Sequence, residues 1–259
     1  MRRLTIRICA LGMALGMTTG VAAQAPSSSQ APSDAPSASE LLARIDGNQA
    51  FTSIEYSARM EIRIGKQLRV KSMKAWALSD KKAFIEFTNP EDYGTRMLKL
   101  EKELWMYFPK EQDTIRISGH LLKEGLMGSD LSYEDALESD ELSSMYQASI
   151  TREAKVDDRR TFVVELKAKT PQAKYDRRVL WVDAERFVVL SEEMYARSGR
   201  LLKTSSVKKV ERIDGRWYAT VVVLEDKLRK DSSTTIIMDS LRLDVPLSAD
   251  LFTRAALER

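Results

Sequence analysis

The chain has 259 residues, of which 43% are hydrophobic and 31% are charged, with 11 Gly and 7 Pro. This composition is globular and excludes a collagen-like or wholly disordered chain. Lys and Arg (41 residues) exceed Asp and Glu (38 residues) by three, and Arg2, Arg3 and Arg7 account for that excess. The remainder is formally neutral, which excludes nucleic-acid binding because that binding depends on surplus positive charge.

The first 23 residues have the three parts of a secretory signal peptide. The three arginines precede an apolar stretch at residues 8–17, and small residues follow from Val21 to Ala23. The stretch is too short to cross a bilayer. We therefore expect export and cleavage after Ala23, or after Ala25 as a near alternative, and an uncleaved membrane anchor is the other interpretation.

The expected mature chain begins with a linker and continues as one domain. Cys9 is the only cysteine and lies in the predicted signal peptide, so the mature protein should lack disulfides and reactive thiols. Residues 24–38 are rich in Pro, Ser and Ala and predict a flexible linker. Residues 39–259 are expected to form the single folded domain.

A short helix is predicted from Ser39 to Asp46. Ser37 and Glu40 have the spacing of a capping box, and the apolar residues that follow form one helical face. Gly47 is expected to end this helix.

From Ile54 onwards the apolar period changes from 3.6 to 2, which is typical of half-buried strands. The first group of predicted strands occupies residues 54–64, 68–78, 83–87, 96–101, 104–108 and 114–117.

The middle of the chain, residues 119–147, loses this alternation. Ser132 is predicted to cap a helix that reaches about Glu138, and residues 143–147 favour one further helical turn. Alternation returns at residues 161–168, 178–183, 186–196, 201–213, 217–226 and 234–243, and a last helical turn is predicted at residues 248–252.

Strands at about ten-residue spacing with short turns between them should be antiparallel, since parallel strands need long crossovers. Asp214-Gly215 is the best hairpin signal. The predicted class is mainly β with short helices (α+β). The predicted architecture is a single highly curved antiparallel sheet, or open half-barrel, with helices packed on one side.

The residue inventory argues against an enzyme. His120 is the only histidine, and the chain has no Gly-x-Ser-x-Gly motif and no Gly-rich phosphate loop. Zinc would lack ligands. We expect no catalytic residue, no cofactor and no metal. The sequence does not exclude a pair of carboxylates for glycoside hydrolysis, but nothing in it marks out such a pair.

A cluster of acids in the middle region has two interpretations. Calcium prefers oxygen ligands, but the cluster lacks the spacing and central glycine of an EF-hand loop. The favoured interpretation places acids in the first turn of a helix and the others in water. The cluster consists of Asp130, Glu134, Asp135, Glu138, Asp140 and Glu141.

Several strands are apolar on both faces, which indicates either a plain core or a cavity for an apolar guest. Soft methionines such as Met97 and Met127 would suit a cavity that adapts to an acyl chain. The candidate cavity residues are Tyr56, Met60, Trp76, Ile85, Phe87, Leu98, Leu100, Trp105, Tyr107, Phe162, Val164, Trp181, Met194, Trp217 and Met238.

Several runs of this sequence resemble one exported family. The most specific is Met-Gly-Ser-Asp followed by Tyr-Glu-Asp within residues 127–135. Further similar runs lie at residues 89–95, 105–109, 116–120, 215–218 and 252–253. On these residues the chain resembles the outer membrane lipoprotein-sorting protein family, a branch of the LolA-like superfamily distinct from the classical carrier.

The resemblance implies a half-open sheet with helices acting as a lid over an apolar cavity. It implies a non-enzymatic periplasmic carrier, expected to be a monomer, that shields the acyl chains of a lipid or lipoprotein. An inner-membrane transporter would be the donor, and an outer-membrane protein the acceptor. The motif and lid region comprises Met127, Gly128, Ser129, Asp130, Tyr133, Glu134 and Asp135.

The same fold also occurs in periplasmic sensors and interaction modules that regulate an envelope protein, and this is the alternative function. Such proteins usually carry a further domain for the partner. The sequence leaves no residues for one, which favours the carrier.

Overall fold

The computed structural model describes residues 36–79, 81–138 and 141–259. The predicted signal peptide with its cleavage site at Ala23, most of the predicted linker, and Asp140 lie outside these residues. Within the described ranges, no helix is long and apolar enough to cross a membrane.

One antiparallel sheet of thirteen strands forms the body of the described chain. The strands are β1 Ser53–Ile64, β2 Gln67–Leu78, β3 Lys82–Phe87, β4 Arg96–Leu100, β5 Glu103–Phe108, β6 Asp113–Ile117, β7 Tyr146–Val156, β8 Arg159–Ala168, β9 Arg177–Asp183, β10 Val189–Tyr195, β11 Leu201–Ile213, β12 Arg216–Asp226 and β13 Ser232–Leu243. Their order across the sheet is β6-β5-β4-β3-β2-β1-β13-β12-β11-β10-β9-β8-β7. The sheet curls without closing, so the predicted fold class is confirmed.

Short turns connect neighbouring strands, as the sequence predicted. Asp214 and Gly215 both have positive φ, and so do Asp157 and Asp158, as expected for two-residue hairpin turns that match the twist of the strands. The described residues contain four α-helices, which are α1 Ala38–Gln49, α2 Tyr133–Leu137, α3 Leu142–Met145 and α4 Arg254–Leu257.

Helix α1 differs from its prediction at the C-terminal end. Ser37 and Glu40 form the predicted capping box, but the helix continues through Gly47 to Gln49. Tertiary contacts explain the extra turn, because the Asn48 side-chain amide donates to the backbone oxygens of Arg186 and Phe187 at 2.8 and 3.2 Å. The prediction that Gly47 ends the helix was therefore wrong.

Strand β7 has no counterpart among the predicted strands. Its inward residues Tyr146, Ala148 and Ile150 include only two large apolar side chains, so the alternation is weak in sequence. Pairing with β8 along nearly its whole length supplies the order that its own residues do not indicate. Strand β10 also begins later than predicted, at Val189, because residues 184–188 form a turn.

The two edges of the sheet, β6 and β7, are joined by a stretch that crosses one face, which we call the inner face. Residues 118–138 of this stretch are termed the connecting segment. Its apolar side chains, including Leu126 and Met127, pack on inward residues of β4 and β5 such as Met97 and Met106. Helix α1 covers the other half of the inner face, where Leu41 and Ile45 pack on β7, β8 and β9.

The opposite, outer face is covered near β3, β4 and β5 by the C-terminal residues. Phe252 and Leu257 pack against Phe84 and Leu98. The helical elements therefore lie on both sides of the sheet, and the prediction that they pack on one side was wrong.

Candidate functional site

A cavity of about 370 Å³ lies between the end of α1, the turn before β10, and one end of strands β1, β2, β12 and β13. Its wall is mostly aliphatic and aromatic, as is typical of small-molecule sites. The lining residues are Ile45, Asn48, Gln49, Phe51, Ile54, Tyr56, Ala77, Phe187, Val188, Val189, Trp217, Tyr218, Ala219, Val222, Met238 and Leu241.

The turn before β10 brings an aromatic ring into this wall. The fully buried Asp183 carboxylate accepts hydrogen bonds from the backbone N–H groups of Glu185 and Arg186 at 2.9 and 3.0 Å. Phe187 then adopts a left-handed backbone with φ of 55°, which is unusual for a bulky residue. This conformation places Phe187 beside α1 and explains why the predicted strand could not start at Arg186.

Trp217 forms another part of the wall and is flanked by arginines. The guanidinium carbons of Arg186 and Arg212 lie 4.8 and 5.9 Å from its ring centroid, within the range of cation–π attraction. The indole is therefore held at the start of β12 while it lines the cavity.

Two tyrosines, Tyr56 and Tyr218, are among the lining residues. Burial raises the pKa of both. The Tyr218 hydroxyl is itself fully buried and has no hydrogen-bond partner in the described chain. An unsatisfied buried hydroxyl costs about 1–3 kcal/mol, so Tyr218 carries a local cost in stability at this end of the sheet.

The rim of the cavity is tied to the strand ends by Asp244. Its carboxylate accepts from the Thr52 backbone N–H and hydroxyl, both at 2.8 Å, and from Arg216 at 2.6 Å. The hydrogen bonds from Thr52 and Arg216 lower the pKa of Asp244 to about 2. Arg216 also donates to the backbone oxygen of Ala50, which fixes the chain after α1.

Of the fifteen candidate cavity residues, the structure places Tyr56, Trp217 and Met238 in the wall. Others lie on the same inner face but in packed clusters away from the cavity. Met60, Ile85 and Phe87 lie beneath Met127, and Phe162 and Val164 lie beneath α1. Met194 is paired with Arg178 of β9 and with Lys203 of β11.

The remaining candidates lie on the outer face. The strand register pairs Glu55 with Trp76, Trp76 with Phe84, Phe84 with Leu98, and Leu98 with Trp105. Paired residues point to the same side of a sheet, so these side chains lie on the face opposite to that of Tyr56. The outer-face candidates are Trp76, Leu98, Leu100, Trp105 and Tyr107 under the C-terminal residues, and Trp181 opposite Val163 and Ser191. A single cavity therefore does not gather all the candidates.

The motif region forms a tight turn followed by a helix cap. Gly125 approaches Ser129 so closely that an added Cβ would lie 2.0 Å from the Ser129 backbone oxygen. Met127 has φ of 52° and inserts its side chain between two apolar clusters. Ser132 and Asp135 then form a capping box at the start of α2.

Asp130 fastens the motif to the sheet. It is 1% exposed and accepts hydrogen bonds from the Thr234 hydroxyl at 2.6 Å and from the Asp226 backbone N–H at 3.2 Å. Lys203 donates to its backbone oxygen at 2.9 Å. The expectation that acids outside the first helical turn face water was therefore wrong for Asp130.

Asp135 forms a second anchor with two cations. Lys203 donates to it at 2.6 Å, the Tyr175 hydroxyl donates at 2.7 Å, and Lys174 forms a further ion pair. Although burial opposes ionisation, Lys174 and Lys203 hold the pKa of Asp135 well below its usual range. Sequence reasoning missed this network because its cations lie about 40 and 70 positions away.

Among the described residues, His120 and the acids do not gather into a metal site. His120 is exposed in the 3₁₀ helix Gly119–Lys123. In the part of the chain that the structure describes, no group of three or more His, Cys, Asp or Glu side chains could hold a metal ion.

Comparisons with solved structures agree with this fold. A DUF1329 family protein from Desulfovibrio piger is 28% identical with a TM-score of 0.78, covering 85% of this chain and 97% of its own. An outer membrane lipoprotein-sorting protein domain from Vibrio parahaemolyticus is 24% identical with a TM-score of 0.75, covering 86% of this chain and 98% of its own.

A LolA superfamily protein from Nitrosomonas europaea is 23% identical with a TM-score of 0.71, covering 86% of this chain and 100% of its own. No curated protein matches. Residues 79–259, well over half of the chain, match a family model described as "Uncharacterized protein". The resemblance drawn from the sequence is thus confirmed, and the chain belongs to the family of that model, whose fold is LolA-like.

Proposed function

We propose that the protein is a non-enzymatic periplasmic carrier that shields the acyl chains of a lipoprotein or lipid on the way to the outer membrane. The observation that carries the proposal is the 370 Å³ cavity with its apolar wall. Support also comes from the Vibrio parahaemolyticus relative, which is described as an outer membrane lipoprotein-sorting protein domain. In this proposal an inner-membrane transporter supplies the cargo, an outer-membrane protein receives it, and the carrier acts as a monomer.

The mechanism is physical. Each methylene removed from water contributes about 0.8 kcal/mol, so about ten methylenes contribute about 8 kcal/mol before the costs of binding. The apolar wall of the cavity therefore supplies the affinity for the cargo.

Filling the cavity tests the proposal. Ala77 lines the cavity, and Ala83 lies directly opposite it on the neighbouring strand but outside the wall. Ala77→Phe should lower the affinity for a triacylated lipopeptide or a lysophospholipid about tenfold or more, because the ring displaces methylenes. Ala83→Phe is the matched control and should bind as the unchanged protein does, as measured by native mass spectrometry.

The protein purified from the periplasm of its host should also carry extractable lipid or acylated peptide. A clean apo mass that persists after incubation with host lipids would contradict the carrier. The sensor or interaction module would then become the better interpretation.

A further inference from the structure

We propose that the end of the sheet formed by the β1–β2 turn and the β12–β13 loop docks on an anionic membrane surface. The two turns are neighbours, because the Gly65 backbone N–H donates to the Asp231 backbone oxygen at 2.8 Å and Ile64 pairs with Ser232. We call this surface the basic tip, consisting of residues 63–70 and 227–231.

Large apolar side chains protrude from the basic tip. Leu68 is 50% exposed, Val70 is 40% exposed and Leu228 is 53% exposed. Leu68 and Val70 pair with Arg63 and Glu61 of β1, so they lie on one face of the hairpin. Exposed apolar residues gathered at one place mark an interaction site, whereas scattered single ones do not.

Cations surround these apolar residues. Residues 62–74 contain five Lys or Arg residues and no acid, and residues 227–230 read Lys-Leu-Arg-Lys. Among the described residues, Arg63, Lys66, Arg69 and Lys230 form no ion pair within 4 Å. This local excess contrasts with the near-neutral remainder of the chain.

The pattern favours a lipid surface over a protein groove. Leu68 and Val70 stand at the start of β2 and Leu228 stands in the β12–β13 loop, all three at least 40% exposed, and Lys or Arg residues lie next to them along the chain. Short apolar side chains can enter the headgroup region while neighbouring Lys and Arg contact anionic lipids, each cation strengthening binding about fivefold.

The basic tip is distinct from the cavity. The cavity is lined by the start of β1, the end of β2 and the start of β12, through Ile54, Ala77 and Trp217. The basic tip lies at the opposite ends of these same strands. Docking and cargo binding can therefore be measured and altered separately.

Co-sedimentation with vesicles tests the proposal. We expect the protein to bind vesicles of equal parts phosphatidylglycerol and phosphatidylcholine, and to bind phosphatidylcholine vesicles far more weakly. The Lys66→Gln/Arg69→Gln variant should lose about fivefold in affinity for each cation removed. Leu68→Ser/Leu228→Ser should weaken binding with no change of charge.

Two control variants keep the outcome interpretable. Lys81→Gln/Lys102→Gln removes two exposed cations from turns at the far ends of β2 and β4, and it should bind vesicles normally. Ala77→Phe narrows the cavity and should also bind normally, even if cargo binding fails. The proposal would be overturned if the tip variants bound vesicles as well as the Lys81→Gln/Lys102→Gln control does. It would also be overturned if the unchanged protein showed no preference for anionic vesicles.

Discussion

The two segments that cover the inner face are held by different forces. Helix α1 packs through Leu41, Leu42 and Ile45, and its polar ties are few, such as the Asn48 amide and the Asp46 carboxylate. The connecting segment is held by the buried Asp130 and by Asp135, whose side chain is 11% exposed, and these two are bonded to β11, the end of β12 and β13.

The difference indicates which covering can move. Apolar contacts are non-directional, so a helix can shift over them at modest cost. Buried charges hold one geometry, since separating them leaves an unpaired charge in a dry environment. We expect the connecting segment to stay fixed while the end of α1, which borders the cavity, shifts to admit a guest.

The test with the largest expected effect on stability removes the charge of Asp135. Asp135→Asn would leave Lys174 and Lys203 buried without their shared carboxylate, which should lower the free energy of unfolding by about 3–5 kcal/mol. Denaturant unfolding followed by circular dichroism measures the change. As a control, Glu124→Gln alters an exposed carboxylate of the same segment and should change stability little. If the two substitutions lowered stability equally, Asp135 would not be an anchor of this segment.

Acid should weaken the same anchor in the unchanged protein. The pKa of Asp135 is lower in the folded protein than its unfolded value of about 3.9. The contribution of Asp135 to stability is therefore complete above the unfolded pKa, and it is lost as the pH falls from there through the lowered pKa of the folded protein. The free energy of unfolding should decline below about pH 5, and Asp135→Asn should show a shallower decline. Parallel declines in the two proteins would assign the acid sensitivity to other carboxylates.

The test with the smallest expected effect makes the same Gly→Ala substitution in the connecting segment and in α1. Gly125→Ala should destabilise by about 1–3 kcal/mol, because the new methyl group meets the Ser129 backbone oxygen. Gly47→Ala should stabilise by about 0.5–1 kcal/mol, because its Cβ meets nothing within 4 Å and alanine favours the helix. Thermal unfolding measures whether each substitution raises or lowers stability. If both substitutions changed stability in the same direction, the connecting segment and α1 would not differ as described.

The sequence predicted most of the fold from local signals. The period of 2 identified twelve of the thirteen strands of the described chain, because most of those strands carry large apolar residues at alternate positions. The capping boxes at Ser37 and Ser132 were readable because each is complete within four residues. Strand β7 was missed because its order depends on pairing with β8.

The candidate site was less predictable. A strand such as β5 is apolar on both faces, so alternation alone does not say whether Trp105 or Met106 faces inward. The structure places Met106 beneath the connecting segment and Trp105 beneath the C-terminal residues. Phe187 in the cavity wall had no local signal, since it was predicted to belong to a strand.

The sequence by itself determined the antiparallel β class, the starts of α1 and α2 and the family motif, because periodicity and capping act between residues that are close along the chain. Only the tertiary structure decided which face of each strand is covered, and by which segment. It also decided that Asp130 is buried, that Asp135 meets Lys174 and Lys203, and that the cavity lies beside α1. Those features join residues about 40 to 140 positions apart, and no local pattern records which distant partner a side chain meets.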